Sequence, residues 1–513
     1  MSSKNNAFKN LMLSSAGLYV ESFFAMLMSV IIARSLGPES YGNYALIVWI
    51  VAFGIRITNG GVTTATIKFV SECNVKYKQY IAPTVRYLRK IQILKLVFVL
   101  VIFSFFFLFL RERYINEISL LVCMSLLLVI VLRAFNVFYV SLSKGFENFK
   151  AVAATSIVSS PIHLLLVIAA ALISNTLEGF IISYVLSSIV YLLVSRTIVL
   201  SWCKYDQSDS ELPKEIKSRI NKHVKIVMLN TLLLFLITNE SELLFLKYFA
   251  DGDDLGYFKV AHRLAIAIAL LVPGIFEGIL LPLMSRSIAE SQEMAHLRFT
   301  QCIKYVMLMA LPAAVFCVFY SSEIINILYG SEYDSAIQPF AILVATCCIC
   351  SVSSVPTSYL LSVDRQSLIL KVMLIGTVLK LGLDYYLIKS YGLYGASIAF
   401  SMSFSFMFLA NLFLAMKHLK VAFPMLYFGK VILATMISAA FVLLIKIIFI
   451  QNEVASIIIS AIIFSVVYIN LSLLLRCWRA DEIQFFREFI SKKNNSVLKK
   501  LDGYLGWVEG KTK

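Results

Sequence analysis

Residues 11–61 read LMLSSAGLYV ESFFAMLMSV IIARSLGPES YGNYALIVWI VAFGIRITNG G, and the spacing of charge in this stretch decides the fold. Two apolar runs, near 11–34 and 43–66, flank a short polar turn from Ser35 to Gly42. A bilayer crossing takes roughly 20 apolar residues, so the stretch reads as a pair of antiparallel transmembrane helices. The first run is too long for the apolar region of a cleavable leader, carries Glu21 and lacks a small-x-small cleavage site. It is expected to remain as the first helix.

The same alternation continues to both ends of the chain. Further apolar segments lie near 91–110, 118–141, 151–173, 178–202, 225–248, 255–283, 301–320, 336–361, 367–389, 392–416, 427–450 and 454–477. The expected fold is therefore an all-α integral membrane protein of about fourteen transmembrane helices. With 59% hydrophobic and 15% charged residues over 513 positions, a soluble domain is excluded, because so much apolar surface cannot be hidden in one.

The net charge of +16 sits in every second loop, as in Lys68 to Lys90, Lys204 to Lys225 and Lys417 to Lys430. That is the positive-inside distribution, which records topology and places both termini in the cytoplasm of an inner (plasma) membrane protein. Arg111 and Arg113 are exceptions, offset by Glu112 and Glu117. A nucleic-acid partner is not expected, since that needs a solvated basic face with stacking aromatics. The nine cysteines follow no metal-binding spacing, and His163 and His262 stand alone on apolar helices. No metal or cofactor is expected. Gly506 to Thr512 is one residue short of a phosphate loop and has no strand before it. Asn239-Glu240-Ser241 is a glycosylation sequon inside a span, where it cannot be used.

An internal echo sets the organisation. Ser40-Tyr41-Gly42-Asn43-Tyr44 after the first span matches Asp254-Leu255-Gly256-Tyr257-Phe258 after the seventh, and Leu177-Glu178-Gly179 matches Leu393-Tyr394-Gly395. The shared offset of 214–216 residues predicts two six-helix lobes related by a pseudo-twofold along the membrane normal. They would span 1–203 and 225–416, joined by a cytoplasmic loop at 204–224. Helices 13 and 14 (427–477) and a basic cytoplasmic tail (478–513), with an interfacial helix or a solvated segment around Phe485-Phe486-Arg487, would follow.

Ionisable residues at membrane depth cost about 2.5–3.5 kcal/mol each on insertion scales and persist where they are paired or line a wet cavity. Glu21 and Arg56 fall at similar depth in adjacent spans; Glu240 and Glu242 with Arg263 repeat the arrangement; Arg133 and the i,i+4 pair Lys380 and Asp384 complete the set. Arg56, Arg133, Arg263 and Lys380 are candidates for a cationic substrate cavity, in which guanidinium groups fork onto diphosphate oxygens. Glu21, Glu240, Glu242 and Asp384 are candidates for charge balance or for coupling to a proton or sodium gradient. Salt bridges between Glu21 and Arg56, and between Lys380 and Asp384, would explain the same residues structurally. Pro161, Pro273, Pro312 and Pro356 fall inside spans, and the cluster Pro273, Gly274, Gly278 and Pro282 suggests a hinge.

Ala33-Arg34-Ser35-Leu36-Gly37-Pro38-Glu39-Ser40-Tyr41-Gly42 resembles the start of the polysaccharide transporter family, in the superfamily that also holds multidrug exporters and lipid II flippases. The resemblance continues at Asn59-Gly60-Gly61, Leu255-Gly256-Tyr257 and Tyr391-Gly392-Leu393-Tyr394-Gly395-Ala396. It implies a two-lobed bundle that flips undecaprenyl-diphosphate-linked repeat units, such as O-antigen (lipopolysaccharide), capsule or exopolysaccharide precursors, working beside a polymerase and a chain-length regulator. A drug exporter would favour acids and aromatics in its cavity over Arg and Lys. A lipid II flippase shares the helix count. A membrane glycosyltransferase or ligase would carry a sizeable extracytoplasmic loop, and every loop on that side is short. The chain is thus expected to be a transporter and not an enzyme.

Overall fold

In a computed structural model of the chain, residues 2–113, 120–203, 211–238, 240–271, 277–448 and 453–478 are described. Among them every regular element is helical, and ten helices are long and apolar enough to cross a membrane. In chain order the α-helices, short ones included, are α1 (Ser2–Asn59), α2 (Val62–Lys76), α3 (Ile81–Arg113), α4 (Leu120–Gly145), α5 (Phe149–Ile173), α6 (Leu177–Trp202), α7 (Lys214–Thr238), α8 (Glu242–Phe249) and α9 (Gly252–Leu271). There follow α10 (Glu277–Glu290), α11 (Gln292–Phe319), α12 (Ser321–Tyr329), α13 (Ile337–Cys350), α14 (Ser354–Ser362), α15 (Gln366–Leu419), α16 (Met425–Ile448) and α17 (Glu453–Leu474).

Lipid as solvent explains the outer surface. On α3, Leu94, Val97, Phe98 and Val101 recur at helical spacing and are all exposed. Ile458, Ile459, Ile462, Val466 and Ile469 do the same on α17. In water such stripes would drive aggregation; facing acyl chains they are satisfied.

Where helices break inside the apolar zone, side chains take over the freed backbone groups, as a bilayer demands. At Gly37 α1 turns through a left-handed residue, φ 72°, followed by Pro38, which has no N–H to give. The Tyr333 hydroxyl donates to the carbonyl of Ala33 at 2.8 Å beside this break. Below the next break, at Asn59 to Gly61, Lys95 Nζ donates to the Gly60 carbonyl at 2.6 Å, and Gln92 ties Asn59 Oδ1 to the Ala134 carbonyl. Pro312 inside α11 removes the N–H that Leu308 would have accepted, and Tyr468 of α17 donates its hydroxyl there at 2.7 Å.

The chain divides into two compact units. One comprises Met1–Ala267, Tyr329–Pro339 and Ser367–Met407; the other comprises Ile268–Leu328, Phe340–Gln366 and Phe408–Lys513. In the first, α5 packs on α1 and α6, and α6 on α4. The two echoed Gly-x-aromatic motifs meet there: a side chain on Gly42 would run into Leu255 and Gly256, and one on Gly256 into the backbone of Pro38. In the second, α16 packs on α11 and α17 around Leu308, Val431, Ala434 and Tyr468.

Some expected boundaries shift. The span read at 43–66 ends at Asn59, and its last turn continues as α2 to Lys76. The segment read as an inter-lobe loop, 204–224, is helical from Lys214 onward. The uninterrupted helix read at 225–248 is broken between Thr238 and Glu242, with Glu240 in the left-handed region at φ 45°. Pro273 and Gly274 lie outside the described residues, as do the tail beyond 478 and the Gly506 to Thr512 segment. Gly278 falls in the first turn of α10.

Candidate functional site

The break between α7 and α8 sends two carboxylates to different neighbours. Glu240 faces α9, where Lys259 and His262, three residues apart, share one helix face. Lys259 Nζ donates to both carboxylate oxygens, at 2.8 and 2.6 Å, and His262 Nδ1 lies 2.7 Å from Oε1. The imidazole is held by Phe258 along its face and Phe400 at its edge, 4.9 Å between centroids.

Glu242, one residue past the bridging Ser241, faces α15. Lys380 there is fully buried, with Nζ 2.6 Å from Glu242 Oε1 and 3.8 Å from Asp384 Oδ2. The Ser241 hydroxyl accepts from Lys380 Nζ at 2.6 Å and donates to Asp384 Oδ2 at 3.1 Å, so one side chain ties the three charges together. Two carboxylates against one ammonium leave this dry cluster one negative charge in excess when all are ionised. Consistent with that excess, Glu242 Oε2 and Asp384 Oδ1 are buried without a hydrogen-bond donor among the described residues. The buried Phe400 ring faces both clusters: Lys380 Nζ stands 5.9 Å from its centroid, and His262 packs against it.

A third cluster carries the opposite charge. On α6, Tyr184, Ser187, Ser188 and Tyr191 fall on one face by helical spacing, and that face receives Arg133 of α4. The guanidinium donates to Ser188 Oγ at 3.0 Å and Ser187 Oγ at 3.4 Å, and lies 4.1 Å over the Tyr191 ring and 5.4 Å from that of Tyr184. Tyr191 is fixed by Ser160 of α5 at 3.1 Å, and His163 packs on both tyrosines. No carboxylate comes within ion-pair distance of Arg133 among the described residues. π faces and hydroxyls hold the group without neutralising its positive charge by direct contact.

The pairings expected from depth and from i,i+4 spacing are only partly realised. Lys380 and Asp384 are together, and the structure adds Glu242 and Ser241 to them. Glu21 and Arg56 are not paired: Glu21 accepts from Ser156 of α5 at 3.3 Å, and Arg56 is exposed with no ion pair among the described residues. Equal depth does not fix which way two helix faces point. Arg263 is half-buried with no ion pair among the described residues, because Glu240 is taken by Lys259 and His262 and Glu242 by Lys380. Lys259 and the tyrosines around Arg133 were not singled out from sequence. His262, read as a lone histidine, has Glu240 as its partner. The i,i+3 spacing of Lys259 and His262 was the available signal.

A sequence model of a family described as "Polysaccharide biosynthesis protein" matches residues 31–338. The probable low-salt glycan biosynthesis flippase Agl15 of Haloferax volcanii is 28% identical over 158 residues, 31% of this chain and 33% of that protein. The chain thus spans about a third of that relative's length. Among solved structures, the lipid II flippase MurJ in an inward closed conformation superposes with a TM-score of 0.71 at 15% identity, covering 91% of this chain and 99% of the other. An inward-facing multidrug resistance transporter of the MATE family superposes with a TM-score of 0.66 at 14% identity, covering 79% and 98%. At these identities the likeness is one of fold.

Proposed function

Because the chain belongs to the polysaccharide biosynthesis protein family, whose model matches more than half of it, we propose that this multi-pass membrane protein is a flippase. Its substrate is an undecaprenyl-diphosphate-linked oligosaccharide repeat unit, moved from the cytoplasmic to the outer leaflet of the inner membrane by alternating access. The observation that carries this reading is Arg133, a cation held in an apolar bundle by tyrosine faces and serine hydroxyls, with no carboxylate at ion-pair distance among the described residues. Such a charge is expensive in lipid unless an anion completes it, and a diphosphate offers oxygens that a guanidinium can fork. Arg56 and Arg263, also without ion pairs among the described residues, would follow the anion's path.

In this reading the acidic clusters do not meet substrate. Lys380 occupies the centre of the Glu242, Ser241 and Asp384 group, where a metal cation would otherwise sit, so the excess negative charge is relieved by a proton. Proton binding there is the coupling step. The completed repeat unit would pass to a polymerase and chain-length regulator, and the chain itself would make and break no bond.

The test is deletion of the gene in its host with lipid-linked oligosaccharide and surface glycan measured together, complemented by wild type and by Arg133→Ala. Complete repeat units should accumulate while surface glycan disappears, and the variant should fail to restore it at normal membrane levels. Unchanged surface glycan with altered drug sensitivity would replace this reading with an exporter, and accumulation of peptidoglycan precursor would replace it with a lipid II flippase.

A further inference from the structure

The first three turns of α7 divide their side chains among three jobs. Ile220 and Val224 are buried in a core with Val62, Phe69 and Leu88. Arg219 makes a two-pronged pair with Glu72, 3.0 Å on each prong. The remaining face carries Lys214, Lys217, Lys222 and Lys225 with Ser218 and Asn221, and together with Tyr87 of α3 these line an open cavity of about 600 Å³. No acidic residue lines it, and none of the four lysines has an ion-pair partner among the described residues. The helix therefore neutralises the one cation that points elsewhere and concentrates four others around an empty space.

Two details make this more than a solvated basic face. The Tyr87 hydroxyl donates to Asn221 Oδ1 at 3.0 Å, which fixes the amide; its NH2, with no acceptor among the described residues, stands as a neutral donor beside the lysines. Immediately along α7, Ile226 and Leu229 are exposed, 60% and 58%, which marks where the helix begins to face acyl chains. An occupant of the cavity would have its anionic head among the lysines and an apolar tail along Ile226 and Leu229.

We propose that this cavity is a binding site for the phosphate headgroup of a membrane lipid, separate from the clusters on α4, α8, α9 and α15. The recognised chemistry, phosphate oxygens on a lipid held at the interface, is shared by an anionic phospholipid and by a polyprenyl diphosphate. Clustered lysines next to an anionic bilayer surface each strengthen binding by roughly fivefold, so removing two costs about thirtyfold.

The experiment is native mass spectrometry of the full-length protein released from zwitterionic micelles, titrated separately with phosphatidylglycerol, phosphatidylcholine and undecaprenyl diphosphate. Wild type, Lys217→Gln/Lys222→Gln, Lys217→Arg/Lys222→Arg and, as a charge-matched control elsewhere, Lys371→Gln/Lys417→Gln are compared. Retention of phosphatidylglycerol or of undecaprenyl diphosphate should weaken by about thirtyfold in the first Gln pair, while the Arg pair and the control stay near wild type. Which of the two lipids shows the loss identifies the source of the headgroup. Equal retention of both by wild type and the first Gln pair, or equal loss in the control pair, overturns the proposal. Because the Arg pair keeps the charge, it also separates loss of binding from loss of folding.

Discussion

Replacing Lys380 with methionine, which keeps the length of the side chain and removes its charge, tests the buried cluster most directly. At an effective dielectric of about 20, the 2.6 Å contact with Glu242 and the 3.8 Å contact with Asp384 correspond to gross attractions of roughly 6 and about 4 kcal/mol. Desolvation of the ammonium offsets most of that sum, and removing one member of a buried ion group typically costs about 3–5 kcal/mol because its partners are left uncompensated. Lys380→Met raises the excess charge of the fully ionised, proton-free cluster from one to two negatives and is expected to lose that amount in equilibrium unfolding by SDS titration from mixed micelles. Asp384→Asn alone leaves one ammonium with one carboxylate and should lie within about 1.5 kcal/mol of wild type, the range of one net hydrogen bond. The double variant returns the cluster to a single negative charge, so it should be more stable than Lys380→Met. Strict additivity of the two single effects, or a Lys380→Met protein as stable as wild type, would refute the account of three coupled charges.

Tyr468→Phe should cost about 1–3 kcal/mol in the same titration, because it orphans the Leu308 carbonyl that Pro312 has already deprived of its backbone donor. Gly256→Ala puts a methyl into the Pro38 backbone and should lose at least the 1–3 kcal/mol usual for overpacking, read as a reduced yield of folded protein on gel filtration. Arg219→Ala removes a half-exposed pair and should change stability by less than about 1 kcal/mol, in contrast to the buried lysine. Arg133→Lys keeps a positive charge but loses the fork and the ring stacking, and should slow flipping of a labelled polyprenyl-diphosphate oligosaccharide in proteoliposomes by roughly ten- to a hundredfold.

Apolar run length made the membrane fold legible in the sequence, and glycine marked two of its breaks. Gly37 and Gly392, both in quoted motifs, are the residues where α1 and α15 leave helical geometry. The break at Glu240 was not legible, since Thr238 to Glu242 contains neither Gly nor Pro. It is stabilised by what its carboxylates reach, Lys259 and His262 on one side and Lys380 on the other, and such partners are invisible to a local window. Lys380 with Asp384 could be read from i,i+4 spacing; Glu242 could not be added, because its neighbour lies 138 positions away. Arg133 was visible as a buried cation, whereas its tyrosine and serine setting on α6 required the packing of α4 on α6.

The meeting of Gly42 with Leu255 and Gly256 has a consequence for inheritance. The two motifs share one pattern, and each serves as the other's wall, so a mutation that fattens either one is opposed by a residue over 200 positions away. A gene cut ahead of α7, before residue 211, would yield two polypeptides that already carry these matching surfaces, and their co-expression should restore the folded protein without any designed linker.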